Sequence, residues 1–307
     1  MRRCAALVVL MVLLIAGPAP SQPLATIRIA TTPIDAGSEP YYAQAMGFFK
    51  KAGINVEITP ISNGAGVAAA VAGGAADIGQ SNVVSLAAAH DRGIPFVIIA
   101  PASLYTSRVP QSALVVAKNS PLRTARDLDG KTLAAAGLKT IAQVGPQVWI
   151  DRNGGNSASI KWVEMPFSAT AEAIASGRVD AALLSEPELG EAVTTGSVRV
   201  LSYCYDAIGS DFLIGAWFST ADWARAHPDL VRSYASVMSQ TARWARANPQ
   251  QSAKILEQET KVRITPVTKR VLFGERLDPA AVQPLIDVAA RYGLLKASFP
   301  ASEIIAK

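Results

Sequence analysis

Two stretches of the chain, VAGGAADIGQSNVVSL at residues 71–86 and IASGRVDAALLSEPEL at residues 174–189, follow the same pattern. In each, an alanine-rich helical segment ends at a glycine turn, and a short strand then ends near a serine where a new helix begins. Three pairs of residues correspond: Gly74 with Gly177, Asp77 with Asp180 and, nearly in register, Ser81 with Ser185. The repeat predicts two similar lobes, each of which offers a strand end and a helix start to one shared cleft.

Strand and helix patterns alternate on both sides of each repeated stretch. Short β-branched runs such as TIRIATT at residues 26–32 and INVEITPI at residues 54–61 are separated by helical spacing that ends at glycines. Such alternation predicts an α/β protein in which each lobe is a mostly parallel sheet with helices on both faces. The last third of the chain is mainly helical, and we expect it to pack on the outside of the lobes.

The N-terminus has the form of a secretory signal peptide. MRRC supplies positive charge, and AALVVLMVLLIA is an apolar run too short for a comfortable membrane span. Cleavage after Ser21 would remove residues 1–21 and predicts an exported, periplasmic protein; the alternative is a retained anchor helix. Loss of Arg2 and Arg3 lowers the formal net charge from +5 to +3, too mild a charge to indicate a nucleic-acid partner.

Candidate binding residues lie where the predicted strands end. In open parallel sheets ligands bind beyond the carboxyl ends of the strands, because helix N-termini gather there with free N–H groups and partial positive charge. The candidates at these edges are Asp35, Ser38, Tyr41, Gln80, Ser81, Asn82, Tyr105, Lys139, Thr140, Glu186, Pro187, Asp211 and Phe212.

The residue types at these edges favour a ligand with an anionic group, since hydrogen-bond donors and one lysine predominate. Asp35, Glu39 and Glu186 would instead suit an amine or a ring N–H, and the aromatic side chains could stack on a ring. A structural role competes for each residue. Serine and asparagine at strand ends also act as helix N-caps, Tyr105 could pack at the crossover, and Lys139 could be a solvated loop lysine.

No catalytic residue, metal site or cofactor is predicted. The sequence contains no GxSxG, P-loop, HExxH or CxxC motif. Its two histidines, His90 and His227, lie at predicted helix ends without a credible nucleophile nearby in sequence. Cys204 is the one cysteine after the signal peptide, and we interpret it as a small buried apolar side chain. The chain is therefore expected not to be an enzyme.

Several motifs in this order resemble the nitrate/sulfonate/taurine-type substrate-binding proteins of ABC importers, a family that includes binders of thiamine pyrimidine precursors. The matching stretches are TPIDAGSEPYYAQAMGFFKKAGINVEI, VAGGAADIG, DLDGKTLAAAG, SGRVDAALLSEPE and HPDLVRSYASVMSQTARWARANPQQSAKIL. Two features depart from the family. Ser185 replaces an aromatic residue found in many members, and the cysteine-rich motif of the related pyrimidine synthases is absent.

The resemblance implies a type II periplasmic-binding-protein fold with two crossover hinge strands. Lobe I would comprise residues 26–105 and 211–307 with the C-terminal helices, and lobe II residues 106–210. It also implies a monomer that captures a small organic solute, anionic and sulfonate- or carboxylate-like, by hinge closure. Its partners would be the permease and ATPase subunits at the membrane. The alternatives are a ligand-sensing protein for a signalling receptor and a binder of thiamine pyrimidine precursors.

Overall fold

A computed structural model describes residues 24–61, 63–261, 264–265 and 267–306. The signal peptide expected at residues 1–21 lies outside these described residues and stays a prediction. Within the described part of the chain, no helix is long and apolar enough to cross a membrane.

The strands run through the first nine-tenths of the chain. In chain order they are β1 Ala25–Thr31, β2 Ile54–Pro60, β3 Ile78–Asn82, β4 Phe96–Pro101, β5 Ser103–Thr106, β6 Ser112–Ala117, β7 Thr132–Ala135, β8 Lys161–Glu164, β9 Ala181–Ser185, β10 Val198–Ser202, β11 Asp211–Leu213, β12 Gly215–Thr220 and β13 Leu272–Phe273.

The helices alternate with the strands and then dominate the C-terminal third. They are α1 Glu39–Ala45, α2 Phe48–Lys51, α3 Gly64–Ala72, α4 Val83–Asp91, α5 Ile141–Arg152, α6 Phe167–Ala175, α7 Glu188–Thr194, α8 Ala221–Ala226, α9 Pro228–Ala247, α10 Pro249–Thr260 and α11 Pro279–Arg291.

Two five-stranded sheets form the two lobes, and they share one strand order. The first runs β2-β1-β3-β12-β4, and the second, read from its far edge, runs β8-β7-β9-β6-β10. In each sheet one strand is reversed: β12 is antiparallel to β3 and β4, and β6 is antiparallel to β9 and β10. These two strands enter their sheets from the crossing between the lobes, so they run against their neighbours. The prediction of an α/β fold with two mostly parallel sheets is confirmed.

A third, small sheet lies at the crossing. Its order is β11-β5-β13. β5 leaves the first lobe and β11 returns to it, and the two pair antiparallel with Phe212 opposite Tyr105. The lobe boundaries at residues 105/106 and 210/211 remain a prediction, with these paired strands between the two larger sheets.

Helices cover both faces of each large sheet. In the first lobe α1, α2 and α9 pack on one face of the sheet, and α3, α4 and α11 on the other. In the second lobe α6 and α7 cover one face and α5 the other. Each sheet is thereby buried between two apolar layers, which leaves its strand ends as the places where polar side chains can lie.

The repeated stretches hold equivalent places in the two sheets, because β3 and β9 are the central strands. Before each strand a glycine adopts a left-handed conformation, Gly74 at φ 71° and Gly177 at φ 72°. The aspartates that follow also act alike. Asp77 accepts the backbone N–H of residue 28 on β1 at 2.8 Å, and Asp180 accepts that of residue 132 on β7 at 2.8 Å. Both aspartates therefore join neighbouring strands and lie away from the carboxyl edges.

Candidate functional site

The parallel strands of both large sheets end at the crossing. In the first sheet β4 ends at Pro101 and β5 begins at Ser103, so the carboxyl edge adjoins the crossing. In the second sheet Ser112, the first residue of β6, pairs with Ser185, the last residue of β9. Because β6 follows the crossing, the carboxyl edge of the second sheet adjoins it as well. The two edges border one cleft, which is the candidate binding site.

Gln80 and Ser81 bring uncommitted polar groups to the edge of the first lobe. They are 7% and 4% exposed, and neither side chain has a hydrogen-bond partner among the described residues. Asn82 differs, because its Oδ1 accepts the Ser85 backbone N–H at 3.0 Å and caps α4. Asn82 therefore acts as a helix cap, whereas the side chains of Gln80 and Ser81 remain able to form hydrogen bonds.

Ser103, which the sequence did not single out, adds a third uncommitted group beside Gln80. Its residue is 2% exposed, and its hydroxyl is buried without a hydrogen-bond partner among the described residues. A Cβ added to Gly215 would lie 2.7 Å from both Gln80 Nε2 and Ser103 Oγ. The missing side chain of Gly215 therefore lets both groups come close at the floor of the cleft. An unpaired buried hydroxyl costs free energy unless something bonds to it.

Asp35 forms an ion pair with Arg270, which comes much later in the chain. Arg270 Nε and Nη2 lie 2.8 and 2.9 Å from its two carboxylate oxygens, and the Val271 backbone N–H donates to Oδ2 at 2.9 Å. Tyr42 joins the cluster, since Arg270 Nη2 donates to its hydroxyl at 2.7 Å. With 1% exposure, Asp35 could bind a solute only if this pair were broken.

Ser38 and Tyr41 are also turned away from the cleft edge. The Ser38 hydroxyl is buried and donates to the Asp35 carbonyl oxygen at 2.6 Å. Tyr41 is buried in an apolar cluster with Ala242 and Leu256 of α9 and α10. Both side chains thus stabilise the β1–α1 connection and its contact with the C-terminal helices.

Behind this connection lies a fully buried carboxyl group, Glu39. Its Oε2 accepts the indole N–H of Trp217 at 2.7 Å, whereas Oε1 has no partner among the described residues. The Tyr234 hydroxyl is unpaired and buried in the same layer. Burial raises the pKa of Glu39 well above its ordinary value, while the bond from Trp217 opposes the change. Burial therefore favours the neutral form of this carboxyl group.

The candidate residues Tyr105 and Phe212 belong to an aromatic cluster at the crossing. Tyr105 stacks on Phe212 with ring centroids 5.0 Å apart, and Tyr205 meets both rings edge-on. The Tyr105 hydroxyl donates to Asp206 Oδ1 at 2.7 Å. Burial, followed by the bond to Asp206, raises the Tyr105 pKa. These rings fill the crossing and do not line the cleft with free faces. Exposed Asp211 lies 3.7 Å from Arg108, an ion pair on the surface of the crossing.

The β7–α5 loop of the second lobe carries Lys139 and Thr140. Lys139 is exposed in a left-handed conformation at φ 58°, and its backbone N–H donates to Gln143 Oε1 at 2.7 Å. Thr140 caps α5, since its hydroxyl oxygen accepts the Ala142 N–H at 3.2 Å and its hydroxyl donates to the Gly137 carbonyl at 2.8 Å. Thr140 therefore has a structural role, and Lys139, two residues before α5, has no ion pair to any of the described residues.

The β9–α7 loop is bonded within the protein. The Ser185 hydroxyl lies 2.7 Å from Ser112 Oγ, and the peptide bond between Glu186 and Pro187 is cis. The Glu186 carboxylate accepts the Gly190 N–H at 3.0 Å. Burial raises the pKa of Glu186, and the nearby backbone N–H groups of Lys269 and Gly190 oppose the rise. The two lobes therefore differ at equivalent strand ends. In the first lobe Gln80 and Ser81 are unbonded among the described residues, whereas in the second lobe Ser185 and Glu186 are hydrogen-bonded within the protein.

The two lobes and the paired crossing strands form a two-lobed α/β fold of the type II periplasmic-binding-protein kind. It is similar to the crystal structure of the periplasmic aliphatic sulphonate-binding protein SsuA from Escherichia coli, with 18% identity, a TM-score of 0.76 and 92% of each chain covered. It is likewise similar to the alkanesulfonate-binding protein SsuA from Xanthomonas axonopodis pv. citri bound to MOPS, with 19% identity, a TM-score of 0.75 and 92% and 98% coverage.

A third similar structure is the Candida albicans CA3427 gene product, described as having the generic periplasmic binding protein fold. Its identity is 14%, its TM-score is 0.73, and 92% of this chain and 97% of that chain are covered. No curated protein sequence matches the chain significantly. A sequence model of the NMT1/THI5-like family matches residues 38–252. The chain belongs to the NMT1/THI5-like family, which confirms the family resemblance of the sequence.

Proposed function

We propose that the protein is the solute-binding component of an ABC importer and that it captures a small organic anion between its two lobes. The observation that carries this proposal is the set of unpaired polar side chains at the cleft edge of the first lobe. The Ser103 hydroxyl is fully buried without a partner among the described residues. The nearly buried Gln80 and Ser81 side chains still reach solvent and make no hydrogen bond to the described residues. Buried polar groups in native proteins are normally bonded, so a bound solute would supply the missing partners.

The character of these groups supports an anionic solute. Hydroxyl and amide groups can donate to a carboxylate or sulfonate oxygen. Lys139 has a free ammonium group beside the α5 N-terminus, and a helix start adds partial positive charge. Among the acidic residues that would have suited an amine, Asp35 is already paired with Arg270. Two proteins of similar fold are named for binding sulfonates, and one of them holds MOPS.

Capture would use the crossing as a hinge. A solute that contacts both lobes favours the closed form, because only that form provides both sets of contacts. The paired strands β5 and β11 give the lobes a narrow connection. A permease and its ATPase would then recognise the closed protein. In this proposal the protein is a monomer that acts in the periplasm after loss of residues 1–21.

A binding screen on the protein lacking residues 1–21 tests the proposal. The panel contains alkanesulfonates, aromatic carboxylates, nitrate, amino acids and the aminopyrimidine of thiamine. We expect a thermal shift with an organic anion, since a solute at about 100 times its Kd adds about 2.7 kcal/mol of stability. Stabilisation by the pyrimidine or an amine alone would contradict the anion assignment and support another cargo.

A pair of glutamine variants separates the cleft from the surface. Gln80→Leu should abolish the shift, because it removes an unpaired amide from the cleft edge. Gln240→Leu is the matched control, since Gln240 lies exposed on α9. If both variants lose binding to the same extent, or if neither variant loses it, the proposed location of the site is wrong.

A further inference from the structure

A five-residue segment, Val267–Val271, passes from the C-terminal helices of the first lobe to the second lobe. We name it the strap. It precedes β13, which pairs with β5 at the crossing. Two of its contacts reach the second lobe: Gln111 Nε2 donates to the Arg270 carbonyl at 3.1 Å, and Lys269 Nζ lies 3.3 Å from the Tyr203 hydroxyl. The strap thus spans the cleft on one side.

The strap is fixed to the first lobe by the residue next to Lys269. Arg270 makes the two-point ion pair with Asp35, and its side chain is only 17% exposed. The Val271 backbone N–H adds a bond to the same carboxylate. Planar two-point pairs of this kind hold geometry as well as charge. Because Arg270 is held in place, the backbone of the adjacent Lys269 is held in place as well.

Lys269 carries a half-buried positive charge that no carboxylate neutralises at close range. Its Nζ lies 4.7 Å from the centre of the Tyr203 ring, and no ion pair within 4.0 Å joins it to an acid among the described residues. The charge of Glu186 acts on Lys269 from a distance longer than an ion pair. The charge of Arg270, by contrast, is offset by Asp35.

Tyr203 places this charge at the cleft. It follows β10 directly, and β10 runs parallel to β9 because both are antiparallel to β6. Tyr203 and Ser185 therefore lie at the same carboxyl edge of the second lobe. The uncommitted groups of Gln80 and Ser103 lie at the edge of the first lobe. A small solute in the cleft would have neutral donors on one side and the Lys269 ammonium on another.

We propose that the strap forms a wall of the binding cleft and that Lys269 is the cation that binds the anionic group of the solute, with the Tyr203 ring beside it. This inference rests on the proposed function and adds a charged contact that comes from the C-terminal part of the chain. Lys139, in the loop of the second lobe, is the competing cation. The two lysines predict different mutational results.

Isothermal titration with 1-propanesulfonate and with benzoate tests the assignment. Lys269→Met keeps the apolar stem and should weaken binding about ten- to a hundredfold, the size of one charge-assisted hydrogen bond. Lys269→Arg should retain most of the affinity. The control Lys254→Met changes an exposed lysine on α10 and should bind as the wild type does. Melting temperatures of the unliganded variants check that the fold is kept.

The salt dependence of binding gives a second readout that a purely structural role would not change. Wild-type affinity should fall as ionic strength rises, and Lys269→Met should flatten this dependence. The inference is overturned if Lys269→Met binds like the wild type while Lys139→Met loses affinity. If the wild type binds neither anion, the proposed function and the inference fall together. If the wild type binds them and Lys269→Met binds them equally well, the inference alone falls.

Discussion

Asp35 shows how one carboxylate at the end of a strand can organise distant parts of the chain. It joins the β1–α1 connection to Arg270, 235 positions later. Tyr42 completes the cluster from α1. Because the pair is buried, its partners depend on each other: a lone buried charge is much more costly than the pair. We therefore expect the Asp35–Arg270 pair to stabilise the fold rather than to contact the solute.

A double-mutant cycle on this pair measures that dependence. We expect Asp35→Asn and Arg270→Met each to lower the free energy of unfolding by about 3 kcal/mol or more. The double variant should lose clearly less than the sum, because no charge is then left unpaired. Urea denaturation gives all three values. Unchanged stability in Asp35→Asn, with lost solute affinity, would instead assign this carboxylate to the solute.

Glu39 should make the stability of the first lobe depend on pH. Its folded-state pKa is raised well above the ordinary value by burial, whereas the unfolded chain titrates near about 4.3. Above that pH the unfolded state loses a proton that the folded state retains. Stability is therefore fully present below the unfolded pKa and falls as pH rises towards the folded pKa.

Replacement of Glu39 by Gln should remove this slope. The amide oxygen can still accept the Trp217 N–H, and the side chain no longer titrates. Relative to Glu39→Gln, the wild type should lose up to about 1.4 kcal/mol of stability per pH unit within the window. Urea unfolding from about pH 4 to about pH 8 measures it. Glu57→Gln, which changes an exposed residue on β2, serves as control. If the stability of the wild type and that of Glu39→Gln change with pH in parallel, the predicted effect is refuted.

Local sequence could identify some cleft residues and not others. Gln80 and Ser81 follow a recognisable strand and precede a helix, so their place at a sheet edge was predictable from position alone. Nothing local marks Ser103 or Lys269. Ser103 matters because its hydroxyl is buried beside Gly215, more than 100 positions away, and Lys269 because the strap reaches Tyr203 across the cleft. Such contacts depend on tertiary packing rather than on residue pattern.

At the scale of elements, the repeat was the most informative part of the sequence. It predicted equivalent strands with equivalent turns, and β3 and β9 are indeed the centres of sheets with matching order. The reversal of β6 and β12 was harder to predict, because a strand's residue pattern does not show whether it runs parallel or antiparallel to its neighbours. Their direction follows from the chain path through the crossing. The strap was missed because it lacks the periodicity of either a helix or a strand.

Matched substitutions at the two repeat aspartates test how alike these elements are. Asp180→Ala removes one bond to the backbone N–H of Thr132 and should cost about 1 kcal/mol. Asp77→Ala also removes the bonds from the Arg28 side chain, at 3.1 and 2.6 Å, in a buried position, and should cost about 2–3 kcal/mol. Urea denaturation compares them, with exposed Asp222→Ala as control. If Asp180→Ala lowers the free energy of unfolding as much as Asp77→Ala or more, the side-chain bonds of Arg28 do not add the expected stability at Asp77.

At the scale of the whole molecule, the lobes are joined on two sides. The strap lies on one side, and α11 lies against the crossing on another. α11 packs on α4 of the first lobe, and Val288 of α11 contacts Val144 and Val148 of α5 in the second lobe. The Tyr292 hydroxyl, just after α11, donates to Asp151 at 2.8 Å. Lobe motion should therefore pivot near α11 and open the cleft edge that the strap crosses.

Small-angle X-ray scattering of the protein lacking residues 1–21, with and without a saturating organic anion from the screen, tests solute-driven closure most directly. We predict a smaller radius of gyration with the solute, because the lobes approach when both contact it. Gln80→Leu at the same solute concentration should keep the profile of the free protein. Superimposable profiles for the free and saturated wild type would contradict closure around a bound solute, and with it the account of how this fold works.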